Sequence, residues 1–268
     1  MSHVFVIAEA GISHDGDLRK ALTLVDHAKS AKADAVKFQS FNAQKLAARR
    51  KSPDLFAKLK PYEMPLSWLP ILKDHCDKTG IEFMTTCFDE ETLKEVAPLV
   101  KRFKIAASEG KSKELIEAHL EYRRETIISN NGGFNPYPAK YLHCVSKYPT
   151  PVSEVCLKDI YNNGNDGFSD HTRNVMMGAF AVCAGAQIVE VHFRDYYTNH
   201  DNLDWCVSLA PEELRIYITL IRQAQSAVYG ADSEETKKLE RPGSAPHTSR
   251  PQASAGSSPS GGPQGESR

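Results

Sequence analysis

Short apolar runs, each stopping at a reactive polar residue, recur along this chain, and that recurrence constrains its fold more than any other feature. Val4-Phe5-Val6-Ile7-Ala8 stops at Glu9, and Ala35-Val36 stops at Lys37 with Gln39 two further on. Glu82-Phe83-Met84 stops at Thr85 and Thr86, Arg102-Phe103 at Lys104 with Glu109 close behind, and Thr126-Ile127-Ile128 at Ser129. Tyr141-Leu142 stops at His143, Gly167-Phe168 at Ser169-Asp170-His171, and Ile188-Val189-Glu190-Val191 at His192. Short runs of this kind read as buried parallel strands. About eight of them, alternating with helical patterns, predict an α/β fold, a (β/α)8 TIM barrel, with its active site on the face built from strand C-termini.

The chain has 268 residues. A barrel needs roughly 250, so one domain over 1–232 is expected to use nearly all of it. From Ser233 onward the composition turns to Ser, Pro, Gly and Gln, with no large apolar residue after Leu239. Residues 233–268 therefore read as a disordered tail that cannot offset its ordering entropy. Helical stripes run over Asp17 to Lys32 with Asp17 as N-cap, Leu66 to Lys78, Glu90 to Val96, Lys113 to Tyr122, Asn174 to Ala184, and Pro211 to about Tyr229. Two places break the alternation. Residues 40–65 form a long insertion, of the kind that is either a functional lid or disordered. Between Ser129 and Lys140 the chain is too short and too rich in Gly and Pro for a helix. A barrel lacking one outer helix after strand five is expected, its gap closed by neighbouring helices or by another subunit.

Lys plus Arg number 33 against 34 Asp plus Glu, with no basic stripe, so nucleic acid is not an expected partner. Arg49-Arg50-Lys51 and Arg123-Arg124 read as solvated surface. No apolar run approaches the ~20 residues of a membrane span. The N-terminus enters a strand almost at once, leaving no room for a signal peptide, and a cytoplasmic protein without membrane contact is expected. Cysteines at 76, 87, 144, 156, 183 and 206 make no C-x-x-C pair and read as reduced, mostly buried groups. Cys144 beside His143 does not read as a nucleophile, because adjacent strand residues point to opposite faces.

His171 and His192 end two adjacent predicted strands. Such strands lie about 4.8 Å apart, so the two imidazoles can reach one divalent ion, with water or substrate completing the shell of Mn, Fe, Zn or Co. Asp170 is either a partner of His171 or a helix cap. Lys37 and Lys104 are cations aimed into the same mouth, which suits an anion such as phosphate, with Thr86, Ser129 and Ser169 as hydroxyl donors. Salt bridges to Glu9 or Glu109 are the other account of those lysines. Glu9 and Glu109 suit acid/base work beside a metal, and a Schiff base is the alternative role for Lys104. No Walker A or G-x-G-x-x-G motif is present, so nucleotide binding has no support.

Several motifs in order resemble one known family: Ile7 to Asp17 (IAEAGISHDGD), Ala33 to Gln39 (ADAVKFQ), Thr85 to Asp89 (TTCFD), Phe103 to Ala106 (FKIA), His143 to Pro151 (HCVSKYPTP), Phe168 to Thr172 (FSDHT), Glu190 to Phe193 (EVHF), and Asp204 four residues before Ser208. Over about Val4 to Gly230 the chain resembles the sialic acid (N-acetylneuraminate) synthases. The resemblance implies an enzyme that joins phosphoenolpyruvate to the open-chain aldehyde of an N-acylated aminosugar such as N-acetylmannosamine. Phosphate is released and a nine-carbon 2-keto acid forms. It implies a divalent ion, Mn2+ or Mg2+, on His171 and His192. Lys37, Thr86, Lys104, Ser129, Ser146 and Ser169 are then the phosphoenolpyruvate contacts, and Glu9 and Glu109 the acid/base carboxylates. Gln39, Tyr148 and Asp204 become sugar contacts, and a homodimer is implied. Departures from the pattern are Ser13 before His14, Ala107 with Ser108 displaced by one, Cys87 in place of Pro, and the absence of the family's C-terminal antifreeze-like domain, which normally gives the partner's site an arginine. Ala107, the missing helix and the missing domain favour a non-catalytic barrel serving as scaffold or partner subunit; a different metal-dependent or Schiff-base aldolase on the same barrel is the other reading, which pyruvate as donor would favour.

Overall fold

A computed structural model describes residues 3–130, 132 and 135–230. The segment 233–268, read above as a tail, lies outside them. Eight strands close into a barrel in chain order: β1 Phe5–Gly11, β2 Ala35–Ser40, β3 Glu82–Cys87, β4 Phe103–Ile105, β5 Thr126–Asn130, β6 Lys140–Cys144, β7 Gly167–Asp170 and β8 Ile188–His192. Every neighbouring pair is parallel, including β1 with β8, which seals the ring. The TIM-barrel expectation is met.

The period of two along each strand positions the site. Ile7, Ala35, Met84, Ile127, Leu142 and Ile188 pack together as one apolar layer inside the barrel. Two residues on, each strand turns the same face upward. That step converts the layer to Glu9, Lys37, Thr86, Ser129, Cys144 and Glu190. The polar layer therefore rests on an apolar floor, and water does not reach it from below.

Outside the barrel, the helices bury one stripe each. They are α1 Leu18–Ser30, α2 Ala43–Arg49, α3 Pro53–Leu59, α4 Trp68–Thr79, α5 Glu90–Val96, α6 Lys113–Leu120, α7 Lys158–Asn162, α8 Met177–Cys183 and α9 Pro211–Tyr229. Asp17 caps α1 by accepting from Arg19 N, and the helix buries Ala21, Leu24, Val25 and Ala28. At α9, Pro211 occupies the first turn and the Glu213 carboxylate accepts from Ala210 N at 2.7 Å. Helix α8 meets α9 closely: a Cβ on Gly178 would lie 2.5 Å from the Tyr217 ring.

The insertion at 40–65 is ordered helix rather than loose chain. Helices α2 and α3 with the turn Lys60–Tyr62 build a second core from Ile12, Phe41, Leu46, Leu59, Tyr62 and Phe88. Among the described residues between β5 and β6 no helix occurs, as the Gly/Pro-rich spacing predicts. The five-residue α7 had no periodic signal long enough to announce it.

Candidate active site

The C-terminal ends of the strands surround a cavity of about 360 Å3. Its wall includes Glu9, Lys37, Gln39, Thr86, Lys104, Ser129, Ser146, Tyr148, Ser169, His171, His192 and Asp204. All of the site residues expected from the sequence are there except Glu109. The end of β1 makes this convergence possible. Gly11 adopts φ +52°, and a Cβ there would fall 2.5 Å from Asp204 Oδ2 and 3.0 Å from Gln39 Nε2. Only glycine lets three loops close at that point.

Two lysines and two carboxylates form the floor. Lys37 Nζ lies 2.8 Å from Glu9 Oε2 and 3.3 Å from Glu190 Oε1, and donates to Thr86 Oγ1 at 2.9 Å. Lys104 Nζ lies 2.9 Å from Glu190 Oε2 and donates to Ser129 Oγ at 2.7 Å. The sequence reading did not single out Glu190, yet it bridges both cations. Its signal was available: Ile188, Glu190 and His192 share one face at period two.

The charges are unequal in consequence. Burial opposes the Glu190 charge, but Lys104 and Lys37 outweigh it and hold the carboxyl down at about 2. Burial likewise opposes the Lys37 charge, but Glu190 and Glu9 outweigh it and raise its pKa. For Lys104 burial prevails over Glu190, and Lys37 repels it, so its pKa falls. Burial raises Glu9, with Lys37 only partly offsetting it.

Above this floor sit the histidines, with ring centroids 5.5 Å apart. His171 Nδ1 donates to the Val145 carbonyl at 2.8 Å, which leaves Nε2 as a lone pair. Burial, then the neighbouring His192, push His171 down to about 4. His192 Nδ1 lies 3.5 Å from Asp204 Oδ2, and Asp204 foremost raises His192 against the cost of burial. The Tyr148 hydroxyl sits between the two Nε2 atoms, 3.3 Å from His171 and 3.1 Å from His192. One hydroxyl has one proton to give, so it donates to neutral His171 and accepts from His192. The same two nitrogens and intervening oxygen suit a divalent ion whose remaining positions are filled by water or substrate. Val145 and Asp204 orient the rings, as metal-bound histidines require. Among the described residues, no group of three or more His, Cys, Asp and Glu forms a closed metal cage.

Four expectations are revised. Glu109 does not line the cavity: Arg49 Nη2 holds its carboxylate at 2.7 Å and Arg50 Nη2 at 3.0 Å. Arg49 and Arg50 are accordingly not idle surface, and Arg50 joins the cavity wall with Phe41, Leu46, Leu59 and Phe88. The end of β6 presents Cys144 to the cavity rather than His143, which stacks on Phe168 instead. Burial pushes the Cys144 thiol up to about 12, so it stays protonated and is no nucleophile. Asp170 is neither metal partner nor helix cap. It accepts from Thr172 N at 2.8 Å and from the Tyr217 hydroxyl at 2.9 Å, tying α9 to the barrel.

Residues 24–133 and 138–233 match the model of the NeuB family. The chain belongs to that family. It is 31% identical over 278 residues to the N,N'-diacetyllegionaminic acid synthase of Legionella pneumophila, covering 89% of this chain and 76% of that one. It is 32% identical over 258 residues to the spore coat polysaccharide biosynthesis protein SpsE of Bacillus subtilis, covering 83% and 68%. Among solved structures, a sialic acid synthetase of Leptospira borgpetersenii in complex with citrate superposes with a TM-score of 0.77 at 29% identity, covering 89% of this chain and 90% of that one. No helix among the described residues is long and apolar enough to cross a membrane.

Proposed function

We propose that this chain condenses phosphoenolpyruvate with an N-acylated aminosugar to give a nine-carbon 2-keto acid and phosphate. The observation that carries the reading is the pair of buried lysines beside a histidine pair, on the polar layer at the strand ends. Lys37 and Lys104 with the hydroxyls of Thr86, Ser129, Ser146 and Ser169 supply donors for the phosphate and carboxylate of the donor substrate. Glu190 contacts both lysines and holds them in place until that anion arrives. C3 of the enol attacks the aldehyde carbon, whose oxygen takes a proton. Water then adds to C2, the C2–O bond to phosphate breaks, and phosphate leaves.

Burial raises the Glu9 carboxyl, which lies within reach of Gln39 and Lys37. It is placed to exchange a proton during aldehyde attack or water addition. Gln39, Tyr148 and Asp204 line the acceptor end and orient its hydroxyls. His171 and His192 are the residues that would hold a divalent ion, which when bound supplies Lewis-acid polarisation of the aldehyde oxygen. Glu109 acts from behind the wall, through Arg50.

The deciding experiment measures phosphate release from phosphoenolpyruvate with a panel of N-acetylated aminosugars, with and without Mn2+. Release that requires an acceptor and the ion supports the reading. Release with no acceptor of the panel, or pyruvate serving as donor, overturns it. One observation favours the second outcome: burial lowers Lys104, as in amines that form Schiff bases. Borohydride trapping with pyruvate tests that route directly.

A further inference from the structure

Outside the cavity wall, on the loops that follow β7 and β8, Trp205 is flanked by cations. The guanidinium carbon of Arg173 lies 5.1 Å from the indole centroid and that of Arg194 lies 4.9 Å from it. The His200 ring lies on the same indole at 4.4 Å. Among the described residues neither arginine has a carboxylate partner. The two acids that act on Arg194 are engaged elsewhere: Asp195 Oδ1 pairs with His27 Nε2 at 3.1 Å, and Glu213 caps Ala210 N. Arg194 Nη1 reaches only the Asp195 carbonyl, at 3.3 Å. Arg194 Nε and Trp205 Nε1 are buried donors with no acceptor. Burial and the charge of Arg173 both act against the charge on Arg194. A guanidinium lying over a ring keeps its in-plane N–H groups for another partner. The cluster is thus rich in donors and positive charge and short of an acceptor.

Its place relates it to the cavity. Arg173 comes two residues after His171, and Arg194 two after His192. Trp205 follows Leu203 and Asp204, both of which line the cavity. The cluster therefore stands on the two loops that follow β7 and β8, just beyond the histidine pair, and the second of them also carries Asp204. Two unpaired monocations call for a dianion, which a phosphate monoester supplies and a single carboxylate does not. The fork of a guanidinium also matches phosphate oxygens two at a time.

We propose that Arg173, Trp205 and Arg194 form an oxyanion site for a phosphate monoester carried by the aminosugar acceptor, whose aldehyde end lies at the histidine pair. The acceptor assignment rests on the proposed synthase activity; oxyanion binding by the cluster does not. Free inorganic phosphate offers the same chemistry, and the experiment separates the two sources.

The chain has two tryptophans. In a Trp68→Phe background, emission reports Trp205 alone. Inorganic phosphate and N-acetylmannosamine 6-phosphate are titrated separately. A saturable response to the sugar phosphate is expected, weakened about tenfold or more in Arg173→Met/Arg194→Met, as loss of charge-assisted contacts implies. The Arg173→Lys/Arg194→Lys variant keeps the charge without the fork and should recover part of it, while unchanged melting temperatures exclude unfolding. In kinetics, the KM of the unphosphorylated aminosugar divided by that of its 6-phosphate should exceed one in the wild type. That ratio should fall about tenfold or more in the Met variant. No Trp205 response, or one that survives the Met substitutions, overturns the site. A response to inorganic phosphate with no advantage for the sugar phosphate overturns the acceptor assignment and leaves free phosphate as the ligand. An arginine-dependent response without phosphate release from any acceptor sinks the synthase reading and the acceptor assignment with it, and leaves the oxyanion site standing.

Discussion

Replacing Glu190 by Gln removes one negative charge from the centre of the site without changing its shape. In the native arrangement the carboxylate is 4% exposed and serves both lysines, at 3.3 Å and 2.9 Å. Lys37 keeps Glu9 at 2.8 Å, but Lys104 keeps only the Ser129 hydroxyl at 2.7 Å and the Ile105 carbonyl at 3.3 Å. Breaking a buried pair from one side costs about 3–5 kcal/mol. The loss has a ceiling, because Lys104 can shed its proton: taking an ordinary lysine from about 10.4 to neutral pH costs about 4–5 kcal/mol. A domain of this size loses about 2–4 °C per kcal/mol, so melting should fall by on the order of 10 °C. The ligand response should move the other way. In the wild type, phosphoenolpyruvate competes with Glu190 for the lysines; in the variant it does not, and it restores the missing negative charge. Thermal and urea melts with and without phosphoenolpyruvate measure both quantities. A variant within about 1 kcal/mol of wild type, or one whose ligand-induced shift is smaller than the wild-type shift, refutes the electrostatic account of the floor.

Three further outcomes are expected. His171→Ala/His192→Ala should abolish calorimetric Mn2+ binding at the site; equal affinity in both proteins would remove the histidines as ligands. His14 is fully buried, its Nδ1 accepts from Gly16 N at 3.0 Å, and burial pushes it down to about 4. Between an unfolded value near 6.5 and that folded value the unfolded chain binds the extra proton. This histidine's share of stability, on the order of 3 kcal/mol, is therefore present above the unfolded value and lost as pH falls through that window. His14→Asn should flatten the loss between pH 7 and 4 by that amount, and an unchanged urea-midpoint profile would contradict it. Gly11→Ala should cost at least about 1–2 kcal/mol for its left-handed backbone and displace Asp204 from His192. Retention of wild-type turnover would show that this close approach does not matter.

The barrel was legible because its signal is local and repeated. Each strand carries its own apolar run, and each helix its own stripe. A period of two places Ile7, Ala35 and Met84 beneath Glu9, Lys37 and Thr86 wherever the chain closes. By the same rule the strand-end polar residues of the cavity, among them Ser129, Ser169 and His192, could be named in advance, and Glu190 belongs to that legible set. What the sequence left undecided depends on parity and on contacts between distant segments. At the end of β6 a shift of one residue turns Cys144 inward and His143 outward, and short strands do not announce their parity. Arg49 and Arg50 look like ordinary surface charge until α2 folds back and sets them on Glu109, 59 and 60 positions away along the chain. Tyr148 meets both histidines only because the segment after β6 folds over the ends of β7 and β8. The residue types of the site are thus a property of the sequence. The charge that each one carries is a property of the tertiary structure, because burial and the nearest opposite charge, neither of which is local, set the proton affinities of Glu9, Lys104, Glu190 and His171.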